Sequence, residues 1–401
     1  VDTAPNAANR ETPMILQSSF GQPTLWQRVR PWFSGFDPLL LLAMLALMGI
    51  GLTAMYSAGF DNGARFTLQV RNMVLAGTVF FLVAQVPPQR FMALAVPLYT
   101  VGMVLLVLTA LFGIDPTHKG ARRWLNVGIV IQPSEILKIA TPLMVAWWFQ
   151  RREGRPRTGD IAQAFLLVLM PFLLVAKQPD LGTGILIFAA GFFVIFFAGL
   201  SWKVILPVAV VGVAAIVAIV LAGPTICEPD VDWKILHTYQ KNRICTLLDP
   251  TRDPLGKGFH IIQGMIAIGS GGITGKGFMK GTQTHLEFIP ERTSDFIFAA
   301  FSEEFGLMGD LALITCYTFL IVRGLMIAFE APTTFSRLMA GAITMSFFVY
   351  AMVNMGMVSG ILPVVGVPLP FMSYGGTALV TLGLSLGILM SIARSRRLMQ
   401  S

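Results

Sequence analysis

The sequence predicts an all-α polytopic membrane protein of about ten transmembrane helices, with one long outer loop between the seventh and eighth. Three observations predict it. Of 401 residues, 55% are hydrophobic and only 12% charged, a balance typical of chains whose solvent is lipid. Apolar runs near the ~20 residues that cross a bilayer recur along the chain, parted by polar turns. Arginine gathers in every second turn, as expected of cytoplasmic loops.

Residues 1–36 are polar, rich in Asn, Gln, Ser and Pro, and read as a cytoplasmic segment with little stable order; its first residues, from Val1 to about Thr12, look processed or added. Spans are expected at 38–58, 67–86, 91–112, 134–149, 161–176, 183–200, 204–221, 305–328, 338–357 and 378–392. The fifth is short enough to be partly re-entrant. With a cytoplasmic start, the inner segments and the N-terminus carry Arg10, Arg28, Arg30, Arg90, Arg151, Arg152, Arg155, Arg157, Lys203, Arg323, Arg337, Arg394, Arg396 and Arg397. The short outer loops carry Arg65, Lys119, Arg122, Arg123 and Lys177. Both termini are then inside and the 223–294 loop outside. This asymmetry accounts for the net charge of +8; charge so sparse makes a poor phosphate-tracking surface, so nucleic acid is not an expected partner. The three cysteines form no CxxC or Cys/His cluster, so no zinc site is indicated.

The stretch 288–306 organises the rest. A long polar loop ends there and a deeply apolar segment begins, with Asp295 at the junction before Phe296, Ile297 and Phe298. Such a boundary raises an acid's pKa and makes it a useful base; alternatively Asp295 caps the following helix. Lys119, Arg123 and Trp124 form a basic-aromatic loop, either an interfacial anchor or a clamp for a lipid phosphate. Gln132, Ser134, Glu135 and Lys138 open the fourth span. Glu135 and Lys138 share a face, as a structural ion pair or as a polar cavity with Lys138 toward an anionic substrate. Gln178, Asp180 and Thr183 surround the turn before the sixth span, where Asp180 serves at least as a cap. The Pro- and Gly-rich block 360–376, ending in Ser373 and Tyr374, reads as a re-entrant or lip segment, or as a plain loop. With Glu291 and Arg71, these residues are expected around one outer mouth, suited to transferring a group away from a phosphate-bearing lipid.

Eight ordered motifs carry a resemblance to a known family: Gly120-Ala-Arg-Arg-Trp124, Gln132-Pro-Ser-Glu135, Gln178-Pro-Asp-Leu-Gly-Thr183, Leu248-Asp-Pro250, Gly271-Gly-Ile-Thr-Gly-Lys-Gly277, Phe288-Ile-Pro-Glu-Arg-Thr-Ser-Asp-Phe296, Gly366-Val-Pro-Leu-Pro370 and Ser373-Tyr-Gly-Gly376. From about residue 36 to 398 the chain resembles the SEDS family (shape, elongation, division, sporulation), nearer its RodA branch than its FtsW branch. It departs from the pattern at Thr293-Ser294, where relatives usually have His-Thr, and at Asp310, where they are usually apolar.

The resemblance implies that residues 37–398 form a SEDS-like transmembrane peptidoglycan glycosyltransferase of the bacterial inner membrane. It would polymerise lipid II on the periplasmic side for cell elongation and rod shape, releasing undecaprenyl pyrophosphate. It places the family's essential acid on Asp295 and implies a class B penicillin-binding protein as transpeptidase partner, besides lipid II and membrane lipids. The alternatives are a lipid II flippase or a non-catalytic scaffold of the elongation complex. No cofactor is assured; the carboxylates leave room for a divalent cation, Mg or Mn, on the pyrophosphate. Partner docking is expected on the apolar faces of the eighth and ninth spans, where Gly341, Ala342 and Ala351 are small. Cys227 and Cys245, 18 positions apart in one outer loop, are expected to be disulfide-bonded in an oxidising periplasm.

Overall fold

The structure is a computed structural model that describes residues 32, 34–61, 63–114, 123–126, 128, 130–152, 156–228, 238–252, 257–289 and 291–400. Among the described residues, ten helices have 17 or more residues: α1 (Pro38–Ala58), α2 (Gly63–Ala84), α3 (Pro88–Phe112), α4 (Pro133–Gln150), α5 (Thr158–Lys177), α6 (Leu181–Phe197), α7 (Trp202–Ile226), α11 (Ile297–Phe329), α12 (Thr334–Val358) and α13 (Gly376–Gln400). Eight are long and apolar enough to cross a membrane; α6 is apolar but shorter, and α4 carries Glu135 and Lys138. The loop before α11 is itself helical, with α8 (Thr238–Leu248), α9 (Lys257–Gly271) and the short α10 (Thr282–His285). A small antiparallel pair, β1 (Leu125–Asn126) and β2 (Val130–Ile131), lies between α3 and α4.

The helix ends follow local chemistry. Pro38, Pro88 and Pro133 open helices where no N–H donor is required. Asp37, Asp180, Ser201 and Thr333 cap α1, α6, α7 and α12 through side-chain oxygens. The bundle packs α13 on α2, α12 on α11 and α6, α4 on α3 and α6, and α1 on α11. Small residues permit these approaches: a Cβ at Gly383 of α13 would lie 2.4 Å from the Ala76 carbonyl of α2. α7 stands apart, with no buried residue from 202 to 221. Its surface, apolar from Val204 to Leu221, is stable against lipid without a protein neighbour. Just past its end, Cys227 is disulfide-bonded to Cys245 of α8.

Several boundaries differ from the hydropathy reading. The fifth span is a full 20-residue helix rather than a short one, and the sixth is the short member, with 17 residues. The eighth begins at Ile297 rather than near 305, because its helix runs on through a break at Gly306. That break has φ 62°, and the glycine loop 271–277 mends it. Gly272 and Ile273 carbonyls accept from the N–H groups of Leu307 and Met308, while Lys276 and Gly277 N–H groups donate to Glu303 and Glu304 carbonyls. Ala342 and Ala351 do not lie on an outward docking face, whereas Gly341 lines a groove with Phe197, Val322, Met326 and Phe329. Ala342 and Ala351 are buried in the bundle, and a Cβ at Gly341 would meet Phe197 at 2.8 Å. Small residues here serve internal packing, the same property that suggested docking.

Candidate active site

The loop ends of α1, α2, α4, α6, α11, α12 and α13 meet at one end of the bundle. There the 291–296 turn leads into α11. Asp295 is not the cap of that helix; Phe296 holds the position, without a side-chain cap bond. The turn is instead held by three successive carbonyls. Thr293 O accepts from Tyr374 N at 2.8 Å, Ser294 O from Ser373 Oγ at 2.7 Å, and Asp295 O from Asn354 Nδ2 at 3.0 Å. Ser373 Oγ in turn accepts from Leu369 N at 2.7 Å. Arg292, buried, fastens the other side: it donates to Ala58 O at 2.9 Å and pairs with Asp61 at 2.9 Å and Glu287 at 3.3 Å. Glu291 accepts from Ser294 Oγ at 2.7 Å. The half-buried Asp295 carboxylate lies beside Gly366, where an added Cβ would come within 3.3 Å of Oδ2.

The block 360–376 has no regular structure before α13, yet Val367, Leu369, Phe371 and Met372 are buried. Irregular backbone of this kind is tolerated among membrane helices when protein satisfies it. Asn354 donates to Val367 O at 2.7 Å and Tyr317 to Pro370 O at 2.6 Å. A Cβ on Gly182, in the first turn of α6, would lie 2.7 Å from the Val365 carbonyl. The 178–183 turn, the 365–367 segment and the Asp295 turn are therefore consecutive neighbours.

Charged groups come in pairs. Asp180 accepts from Thr183 N at 3.4 Å and Gln132 Nε2 at 3.2 Å, and faces Arg123 Nη1 at 3.7 Å. Arg123 also donates to Pro179 O at 2.7 Å, and its side chain is 33% exposed, enough to meet a ligand from outside. Lys138 lies deeper. It is 2.7 Å from Glu135 Oε1 and 2.9 Å from Tyr350 Oη, and it is buried. Glu135 also accepts from Thr381 of α13 at 3.0 Å, so the pair ties α4 to α12 and α13. A cavity of about 20 Å³ beside Lys138, lined also by Ser346, Tyr350, Thr381 and Ser385, has room for one water.

Gln178 donates to Leu106 O at 3.2 Å and anchors its turn to α3. Ser134 is buried in the first turn of α4, and Trp124 is half-buried and pairs its backbone with Ile114. Arg71 is not brought into this group. Gln69 and Asn72 occupy the inward face of α2, and Arg71 is exposed on the side of Val74 and Leu75. Lys119 lies outside the described residues. The sequence reading missed Arg65, whose Nη1 is 3.3 Å from Thr293 Oγ1, and also Arg292, Tyr350 and Asn354. Arg292 adjoins the singled-out turn, but nothing in its spacing signals burial. Among the described residues, no three His, Cys, Asp or Glu side chains converge as a metal site.

Among the described residues, eight helices long and apolar enough to cross a membrane, in a bundle that gathers polar and acidic side chains at one end, define a polytopic membrane protein. The chain belongs to the FtsW/RodA/SpoVE family, whose model, described as cell cycle protein, matches residues 38–398. It is 47% identical to the peptidoglycan glycosyltransferase MrdB of Escherichia coli K12, over 94% of this chain and 97% of that relative. It is 31% identical to the peptidoglycan glycosyltransferase RodA of Treponema pallidum, over 90% and 98%. Among solved structures it is similar to a chain from work on structural coordination of polymerization and crosslinking by a peptidoglycan synthase complex (29% identity, 90% and 98% coverage, TM-score 0.73). The Thermus thermophilus rod shape determining protein RodA is also similar (27% identity, 91% and 99% coverage, TM-score 0.66).

Proposed function

We propose that this chain is a peptidoglycan glycosyltransferase that polymerises lipid II into glycan strands, with Asp295 as general base. The names of its full-length relatives support the activity. The observation that carries the residue assignment is the Asp295 turn: three successive carbonyls are braced by Tyr374, Ser373 and Asn354, which holds the half-buried carboxylate beside Gly366.

Glycosyl transfer requires the acceptor's sugar hydroxyl to lose a proton as its oxygen attacks the donor's anomeric carbon. A positioned carboxylate contributes about 10²–10⁴-fold to such a step. In this reading Asp295 takes that proton, the new C–O bond forms with inversion, and the anomeric C–O bond to phosphate breaks. The pair of electrons leaves on undecaprenyl pyrophosphate. Arg123 and the more deeply placed Lys138 stabilise the departing charge, since fixed cations aimed at developing charge are among the largest catalytic contributions. Asp180 and Glu135 hold those cations in place. Each carboxylate already faces a base, a poor arrangement for binding a divalent cation, and no step is routed through one.

The site would face the periplasm from the bacterial inner membrane, with both termini cytoplasmic; the arginine asymmetry supports this orientation. A class B penicillin-binding protein would supply the transpeptidase, contacting membrane helices and the outer surface.

Purified protein with labelled lipid II tests the assignment. Asp295→Asn is expected to abolish polymer while melting as the wild type does. Robust polymerisation by that variant would defeat it.

A further inference from the structure

Two side chains of α12 that this mechanism does not use stand between its two halves. Asn354 is fully buried. Its Nδ2 directs both protons to main-chain carbonyls, Asp295 O at 3.0 Å and Val367 O at 2.7 Å. Both partners are acceptors, which fixes the amide orientation. Val367 adjoins Gly366, beside which the Asp295 carboxylate lies. Four residues earlier, the buried Tyr350 accepts a hydrogen bond from Lys138 Nζ at 2.9 Å. Helix positions four apart share a face and are separated by about 6 Å along the axis.

We propose that Asn354 and Tyr350 are positioning residues, Asn354 for Asp295 and Tyr350 for Lys138, and that the turn of α12 between them sets the spacing of base and cation. The proposal rests on the reading of Asp295 as base and Lys138 as part of the clamp. The residue types suit the task. A carboxamide offers two N–H donors from one planar nitrogen, so it joins the base turn to the 365–367 segment without bringing a charge. Leucine would fill the space and leave two buried carbonyls unpaired. Tyrosine gives Lys138 a neutral acceptor. A second carboxylate in its place would over-neutralise an ammonium already 2.7 Å from Glu135.

The test compares Asn354→Leu, Tyr350→Phe and Asp295→Asn in the full chain. Met352→Ala is the control, since its side chain is 55% exposed. Binding stoichiometry and Kd for labelled lipid II are measured on the same preparations as the polymerisation rate. Asn354→Leu is expected to bind at full stoichiometry with affinity within about twofold, and to polymerise about 10–100-fold more slowly, the cost of a small misplacement of a reacting group. Tyr350→Phe is expected to bind at full stoichiometry about tenfold more weakly, as for loss of a hydrogen bond to a charged group. A purely structural role would lower stoichiometry and rate together and would overturn the proposal. Wild-type turnover by Asn354→Leu, or wild-type affinity in Tyr350→Phe, would overturn it equally. If Asn354→Leu does not fold, Asn354→Ser, which keeps one donor, is read by the same split. Wild-type polymerisation by Asp295→Asn would instead remove the base reading itself, so the two failures are distinguishable.

Discussion

Lys276 Nζ lies 2.7 Å from Glu303 Oε1, and that carboxylate has no exposed surface. Glu303 also accepts from Thr282 Oγ1, Gln283 N, Thr284 N and Thr284 Oγ1. One side chain of α11 thus gathers the start of α10 and the glycine loop that mends the helix break. Glu303→Ala leaves buried donors and an ammonium without their acceptor, and is expected to destabilise the protein by about 3 kcal/mol or more. Lys276→Met, which leaves the other donors in place, should cost less, about 1–3 kcal/mol. Thermal melts in detergent check the order.

The break itself supplies a second prediction. Gly306 has φ 62° and ψ −165°, a region open essentially to glycine, and an added Cβ would meet Gly275 N at 2.3 Å. Gly306→Ala should cost about 3 kcal/mol or more from backbone strain and the clash together. Gly212→Ala, on the outward α7 with nothing within 4 Å, should leave the melt unchanged.

Arg123 tests the clamp. Its guanidinium is held by Pro179 O and Asp180 yet remains partly exposed. Arg123→Gln should lower polymerisation about 10²-fold, as for removal of one electrostatic stabiliser of the transition state, with little change in melting. Wild-type rates from Arg123→Gln and Lys138→Met alike would end the clamp reading.

The Cys227–Cys245 bond joins the end of α7 to α8. α7 has few other ties to the bundle, so replacing both cysteines by serine should loosen the 228–245 region by about 3 kcal/mol in the chain-entropy description. Faster limited proteolysis confined to that region would register it, and mass spectrometry of unreduced protein should find no free thiol at either position.

Orientation has a direct test. A single cysteine at position 257 should react with an impermeant reagent from outside intact cells. Labelling only after lysis would reverse the assignment of faces.

The number and approximate placement of the spans were legible in the sequence because lipid selects apolarity locally. A run of about 20 residues carries its own evidence. The Glu135–Lys138 pair and the Asp180 cap were legible for the same reason, since their partners are three residues away. Asp295 stood out because the polarity of the chain changes beside it. What the residues nearby do not encode is the phase of each helix and its neighbours. Gln69 and Asn72, not Arg71, face inward on α2. Tyr350 reaches Lys138 across 212 positions, Asn354 reaches Asp295 across 59, and Arg65 approaches Thr293 across 228. Glu303 and Glu304 lie just before the expected start of the eighth span, and only the packing shows them buried in α11. The sequence by itself determined an all-α membrane protein of about ten spans, with an acid where a polar loop meets an apolar helix. Only the tertiary structure decided which polar groups meet there, because small residues and helix crossings set those neighbours, and a polar group among membrane helices must find its partner wherever the packing places one.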